Sequence, residues 1–527
     1  MADDVTLNPG VGGAVVRTDD VGGVQYPVSK LVLGDDGANG GLVTVRNPLP
    51  VCLGDTANLD AFGRLRVSLP QPESEISFQY DLNPVYVETV TTGGATVTHD
   101  TASRTALLTV STGGPTAGVG TVTVNTGAAG TENARTATFT NSQTFSAGDV
   151  FEANGVPYYV IAGATSTTHA VYGTSAAAGG SSFTKWGSHA IVRQRQRNLY
   201  QKGKSQFIKE TFVQAAQVDN VAMRVGYHAI RNGYYLQLAK AGGVVTASLI
   251  ERSSSSGSFA ETSKAQADWN IDTFGAGALN PSGITLDWTK QQIFAMDAQF
   301  LGVGRARMGF VINGLFYPAY EWDHANTTTP APYMQYFSLP VTYELFNTAA
   351  SAGATSHAIC FSVDSEGGSS TPPQPYGFAA LNTADVGTST ARTHMISIRP
   401  KQTLNGLLNC IIVAPREVSV LAGNSSVAVE VLYDCTLTGG SWVSADANSA
   451  VEYNTGATIS AVGIRADAFF VASGGGATRQ SANRGFNGTY PLSLSFFGVA
   501  AKAYTIAITA TTGTPNCRAA WAWDEWR

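Results

Sequence analysis

Lysine is missing from a long stretch of this 527-residue chain: none occurs between Lys30 and Lys185. Charge is scarce throughout, at 13% of residues against the roughly 25% usual in globular domains. The net charge of −6 argues against a nucleic-acid partner, which would want a basic stripe. Cysteine is rare as well. Cys52, Cys360, Cys410, Cys435 and Cys517 are odd in number and widely spaced. They form neither a disulfide framework nor a CxxC metal pair. Free, buried thiols made in a reducing cytoplasm are expected, with a Cys410–Cys435 bridge as the minor alternative. No apolar run is long enough to span a membrane. The segment 1–8 lacks the basic and apolar regions of a signal peptide. Helical amphipathic patterns are nearly absent, and Ser263–Trp269 is the one segment that reads as a short helix.

What is present instead is Thr, Ser, Ala, Val and 57 glycines. Thr and Val favour strands, and glycine is a poor helix former. The chain thus reads as all-β, built from jelly-roll-like antiparallel sandwiches with an extended N-terminal arm. Residues 1–70 are punctuated by Gly and Pro and form the expected docking arm. Its apolar pieces include Val28, Leu31 and Leu33, with Phe62, Arg64 and Arg66 near its end. From residue 71 to 370 period-two alternation predicts a sandwich. Asn232-Gly233 and Asn313-Gly314, each between aromatic strands, predict type I′ hairpins. Residues 113–187, rich in Thr, Gly and Ala, read as a small inserted β module. A Gly-Ser-Pro linker near 366–375 leads to a second sandwich over 371–527.

Several clusters invite a chemical reading. Glu321, Asp323 and His324 lie together beside Tyr320 and Trp322, as paired carboxylates do in a glycosidase cleft. The simpler reading is a charged strand edge. A metal site from Asp323, His324 and Glu344 lacks a recognisable ligand spacing. Asp35–Gly41 imitates a calcium loop without its twelfth-position glutamate. Gly302-Val-Gly304 fails as a dinucleotide fingerprint because Arg307 stands where the third glycine belongs. Arg193, Arg195 and Arg197 alternate, and read as a solvated strand face or a subunit contact. Catalytic, cofactor-binding and metal residues are therefore all expected to be absent. Tyr234, Tyr235, Tyr317 and Trp322 are candidates for partner or glycan contact. Trp521 and Trp523, near the end of the sequence, either pack into their own core or anchor a neighbour.

Asp60-Ala-Phe-Gly-Arg-Leu-Arg-Val-Ser68 resembles a motif of tailed-bacteriophage virion structural proteins, near the start of fibre- or spike-like chains. Further blocks resemble the same family: Tyr200–Gln206, Gln266–Asn270, Leu286–Lys290, Phe300–Phe310, His324–Asn326, Leu339–Glu344 and Ser365–Gly368. They cover most of the chain outside 113–187, and the C-terminal third resembles the family more loosely. The resemblance implies a non-enzymatic virion component, a tail fibre, spike or tail-tip protein contributing to host attachment. A capsid decoration or head fibre, a carbohydrate-binding module and a depolymerase are the alternatives. The expected partners are identical subunits in a homotrimer, other virion proteins through the arm, and a host glycan, with no nucleic acid and no membrane insertion. Assembly in the host cytoplasm and residence in the virion follow from the same resemblance.

Overall fold

The structure, a computed structural model, describes residues 4–6, 15–21, 24–27, 71–125, 135–146, 148–154, 156–161, 163–173, 177–255, 260–326, 330–366, 375–473, 480–486, 492–495 and 502–527. Strands make up 58% of the chain, every sheet is antiparallel, and no α-helix occurs among the described residues. Residues 1–58 and 59–527 are separate compact units. Within the first, Asp4–Thr6, Val15–Val21 and Val24–Pro27 form a three-stranded antiparallel sheet. Val28, Leu31, Leu33, Phe62, Arg64 and Arg66 lie outside the described residues, as does the calcium-like loop at 35–41.

The second unit opens with a sandwich of two sheets. One has seven strands, with Ala260–Ala265 at one edge and Val87–Thr92 at the other; Val244–Ser253, Gly233–Ala241, Val221–His228, Val341–Asn347 and His189–Gln194 lie inside. The facing sheet centres on Gln206–Val213, which pairs with both Gln292–Ala298 and Ala354–Ser365. Alternation along each strand sends one set of side chains inward. Val225, Leu236, Tyr343 and Leu345 from the first sheet meet Ile208, Phe212, Phe294, Met308 and Phe310 from the second in one core. Each large apolar side chain buried there contributes about 1.5–3 kcal/mol. The Tyr343 hydroxyl donates across the core to the Cys360 carbonyl at 2.9 Å, joining the two sheets.

The two Asn-Gly signals build different turns. Asn313 and Gly314 both have positive φ, at 52° and 83°, and alone connect Ile312 to its partner Leu315. That is the expected two-residue turn. The first hairpin also forms, but its ladder ends at the His228–Gly233 pair, so residues 229–232 make a four-residue loop. Gly233 thus belongs to the strand rather than to the turn. Ser263–Trp269 is not a helix. Ala260–Ala265 is the edge strand, followed by one 3₁₀ turn over Gln266–Asp268.

Between Thr105–Val110 of one sheet and His189–Gln194 of the other, the chain makes an eight-stranded sheet of its own. Phe139, Phe145, Phe151 and Phe183 fill its separate core. The C-terminal part of the chain contributes a six-stranded and a five-stranded sheet. Trp521 and Trp523 are fully buried between them. Glu525, on the same strand face, is equally buried and fully engaged. It accepts from the Ser449 hydroxyl at 2.6 Å, the Ala450 N–H at 3.0 Å and Trp523 Nε1 at 3.0 Å. Cys360, Cys410, Cys435 and Cys517 are free thiols, so the Cys410–Cys435 bridge does not form.

Candidate functional site

After the strand Leu315–Trp322 the chain turns back over the sandwich, and a polar network holds it there. Glu251 Oε2 accepts from the Tyr234 hydroxyl at 2.6 Å and lies 2.7 Å from His324 Nε2. The Tyr234 oxygen is 3.0 Å from the same imidazole nitrogen. The His324 ring stacks on Tyr333, with centroids 3.8 Å apart. Burial, then the neighbouring Tyr333 and Glu251, raise the Tyr234 phenol well above its ordinary range. Tyr234 therefore keeps its proton as a donor. Its ring is wholly inside the core, so the network positions the loop rather than meeting a substrate.

That loop walls a cavity of about 390 Å³. Tyr333 sets its edge against Phe300 at 5.2 Å, and Phe300 stacks on Phe337 at 5.2 Å and 12°. Tyr200 packs edge-on to both, and its hydroxyl accepts from the Leu301 N–H at 3.1 Å. Gly304 makes the approach of Phe300 possible. A Cβ there would sit 1.8 Å from the Gln299 carbonyl oxygen, and its own N–H donates to Phe300 O at 2.7 Å. Tyr336, Gln335, Ser338, Lys202 and Arg527 are among the other residues that line it. Lys202 Nζ donates to the Arg527 main-chain oxygen at 3.3 Å.

A second cluster occupies the outer face of the seven-stranded sheet. Glu344 Oε2 lies 3.6 Å from His189 Nε2 and 3.5 Å from Arg224, and Glu344 Oε1 lies 3.9 Å from His228 Nδ1. One strand further, Arg252 Nε donates to Glu261 at 2.9 Å, and the Tyr235 hydroxyl donates to the same carboxylate at 2.5 Å. This face is buried because the inserted module and its exit segment cover it. Val150 and Tyr159 pack on Ile191 and Ile230, and Trp186 stacks on Phe346 at 5.5 Å. Burial alone would raise the Glu344 carboxyl, but His189, His228 and Arg224 outweigh it and hold the group well below its usual range. Burial pushes the His228 imidazole down to about 3, against the pull of Glu344. Glu344 is thus the charged centre of this buried floor, with Arg224 as its permanent cation.

The aromatic residues expected to meet a glycan are mostly interior. Tyr234 and Tyr235 are fully buried and point to opposite faces of one sheet, each bonded to a carboxylate. Trp322 is buried, with its indole N–H on the Met308 sulfur. Trp521 and Trp523 belong to the second core. Of the six, only Tyr317 is half-exposed. Glu321 pairs with Arg305 at 3.1 Å, while Asp323 is exposed beyond the strand end. The structure also separates Glu344 from His324: the first is under the module, the second on the loop at Glu251. Among the described residues no group of three or more His, Cys, Asp or Glu side chains is placed to hold a metal. Arg193 is no solvated strand residue. It is buried and paired with Glu88 at 2.8 Å, and Arg197 lies over the Tyr336 ring. Glu251, Tyr333, His228 and His189 escaped the sequence reading, because no spacing links them along the chain.

Comparison with protein-family models and with curated proteins gives no match. Solved structures with a likeness include an engineered GH43 glycoside hydrolase with endo-xylanase and exo-arabinofuranosidase activity (13% identity, TM-score 0.23, covering 33% of this chain and 30% of the other). A bifunctional GH43-CE protein of Bacteroides eggerthii shows 9% identity and a TM-score of 0.24, covering 66% and 30%. A legume lectin-like domain from Entamoeba histolytica shows 4% identity and a TM-score of 0.19, covering 33% and 77%. The chain spans less than a third of the two GH43 chains. The expectation of a chain without enzymatic activity is withdrawn against this finding, because glycoside hydrolases are among the structures it resembles. At these TM-scores the likeness transfers no residue and no reaction.

Proposed function

We propose that the chain is a structural subunit of a tailed-phage particle, part of a fibre, spike or tail tip that contributes to host attachment. The observation that carries this reading is where the phage-like blocks fall. Phe300–Phe310 supplies Ala306, Met308 and Phe310 to the core, the Gly304 turn, and Arg307, which pairs with the buried Asp297. Leu339–Glu344 supplies Leu339, Val341 and Tyr343 to the same core and Glu344 to the covered face. The resemblance therefore lies in the framework of the first sandwich, the part a family of structural proteins shares. The inserted module, with its own core, can vary without altering that framework. Self-association as a homotrimer, and docking to other virion proteins through residues 1–70, complete the proposal.

Cryo-electron microscopy of intact particles tests it. Density for this chain at the tail tip, baseplate or fibres supports the reading. Density on the capsid lattice makes the protein a decoration, and absence from the particle overturns the proposal.

A further inference from the structure

We infer that the inserted module is an acid-released cover: proton uptake by His189 and His228 lifts it from the seven-stranded sheet while both keep their folds. Three observations lead there. The first is how the module is attached. Its contact with the sheet, Val150 and Tyr159 against Ile191 and Ile230, is a cluster of its own. It is separate from the module core around Phe139 and Phe151 and from the sandwich core. Parting the two therefore opens neither core. At the base of the module its two chain ends pass glycine on glycine: a Cβ on Gly187 would sit 2.8 Å from the Gly114 carbonyl carbon. That narrow neck is the pivot.

The second is what the contact seals. His228 is wholly buried, and neither of its ring nitrogens has a hydrogen-bond partner among the described residues. The same holds for His189 Nε2 and Glu344 Oε2. Buried polar groups normally find partners, so this face gains from water what an apolar core does not. The third is charge. Glu344 stands on the strand between those of the two histidines. Arg224 shares the His228 strand, and Tyr235, Arg252 and Glu261 come from the three strands beyond it. Arg193 lies further along the His189 strand, the buried Arg231 follows His228 in the loop 229–232, and the Tyr159 phenol faces Glu344 and Arg252 from the module. Three of these arginines already hold carboxylates: Arg224 has Glu344, Arg252 has Glu261 and Arg193 has Glu88. Asp149 and Lys185, next to Val150 and Trp186 in the sequence, pair with each other at 2.7 Å. A proton on either histidine thus adds a cation that only the shared Glu344 can meet, in a dry space where an unmatched charge is costly. Lifting the cover lets water solvate that charge. Burial holds His228 down to about 3 while the cover is on, so the proton binds more readily with the cover off.

This inference stands apart from the virion assignment, because it is tested on the purified 527-residue chain without particles. Hydroxyl-radical footprinting with mass spectrometry reads side-chain exposure between about pH 7 and pH 4, with Tyr80, 81% exposed, as the dose standard. Tyr159, Tyr235 and Phe346 are buried beneath the module and are expected to become modified as pH falls. The open fraction should rise by up to about tenfold per pH unit below about 6.5. Phe151 in the module core and Phe310 in the sandwich core should stay protected over the same range. His189→Gln combined with His228→Gln, which cannot take up the protons, should keep the face protected down to the lowest pH. Trp186→Ala, which removes the stack on Phe346, should move the opening up by about one pH unit. Any of three results overturns the inference: a face that stays protected throughout in the parent chain, a face and two cores that become modified together, or an opening pH unchanged in either variant whose Phe151 and Phe310 are protected at neutral pH. The first two are read on the parent chain alone.

Discussion

Tyr343, Glu344 and Leu345 are consecutive on one strand, and all three are buried. Tyr343 and Leu345 face the apolar core, whereas Glu344 faces His189, His228 and Arg224 beneath the inserted module. The two faces of this sheet are equally dry and chemically opposite. The inner face is held by non-directional packing, which tolerates volume-conserving exchange. The outer face is held by a few charges that stabilise only as a complete set. A module inserted in the loop between two sandwich strands has thereby made a former exterior into an interior.

Removing one member of the charged set should have the largest effect. Glu344→Ala leaves Arg224 buried without its partner and is expected to cost about 3–5 kcal/mol, read by urea denaturation. The comparison sharpens if residues 114–186 are deleted. Water then solvates the floor, and the same substitution should cost no more than about 1 kcal/mol, as at exposed ion pairs. An undiminished cost would mean that the module is not what dries this face.

Acid should act on the same face. His228 is depressed to about 3 in the folded chain, and Glu344 is held below its ordinary value. In both cases the unfolded chain binds more protons on the acid side. Stability is lost as pH falls through each window: for His228 from about 6.5 toward 3, and for Glu344 only below about 4.5, with a slope approaching 1.4 kcal/mol per pH unit for each group within its own window. Glu210 has the opposite sign. It points into the apolar core, and burial raises it well above its ordinary value, offset only in part by the Gly226 N–H. Its folded form retains a proton that the unfolded form releases, so its penalty grows as pH rises above about 4.5. Glu210→Gln should therefore raise the melting temperature at pH 8 and leave it unchanged at pH 4. Equal shifts at both pH values would refute a protonated core glutamate.

Smaller effects bound the comparison. Tyr343→Phe removes the cross-sheet bond to the Cys360 carbonyl and should cost about 1 kcal/mol. Lys202→Ala, at an exposed site, should stay within about 0.5 kcal/mol of the parent protein, read by the same urea denaturation.

The strands and their facing pattern were legible in the sequence, and what covers each face was not. Period-two alternation places Tyr234 and Tyr235 on opposite faces, as observed. It cannot tell that the outward one, Tyr235, lies under charged groups rather than solvent. The same blindness grouped Glu344 with Asp323 and His324, whereas the fold sets it among His189, His228 and Arg224. Asn313-Gly314 announced its turn because two residues with positive φ are a local requirement. Asn232-Gly233 misled about the turn but not about the hairpin, since loop length is set by where the ladder stops. The cavity escaped notice because its wall comes from Tyr200, Phe300 and Phe337, three aromatic residues in separate segments that only the closed sandwich brings together.

The strand Asn516–Trp526 lies inside the five-stranded sheet, paired on one side with Tyr376–Leu381 and on the other with Ile412–Ala422. During synthesis both neighbours leave the ribosome with their shared partner still unmade. At roughly 5–20 residues per second, Ile412–Ala422 waits on the order of 5–20 s with an open backbone edge. Through that interval the cell holds a half-built sheet that any passing strand, including one from a second nascent copy, can complete. The yield of correctly closed chains should thus respond to translation speed and to how closely ribosomes follow one another on the message.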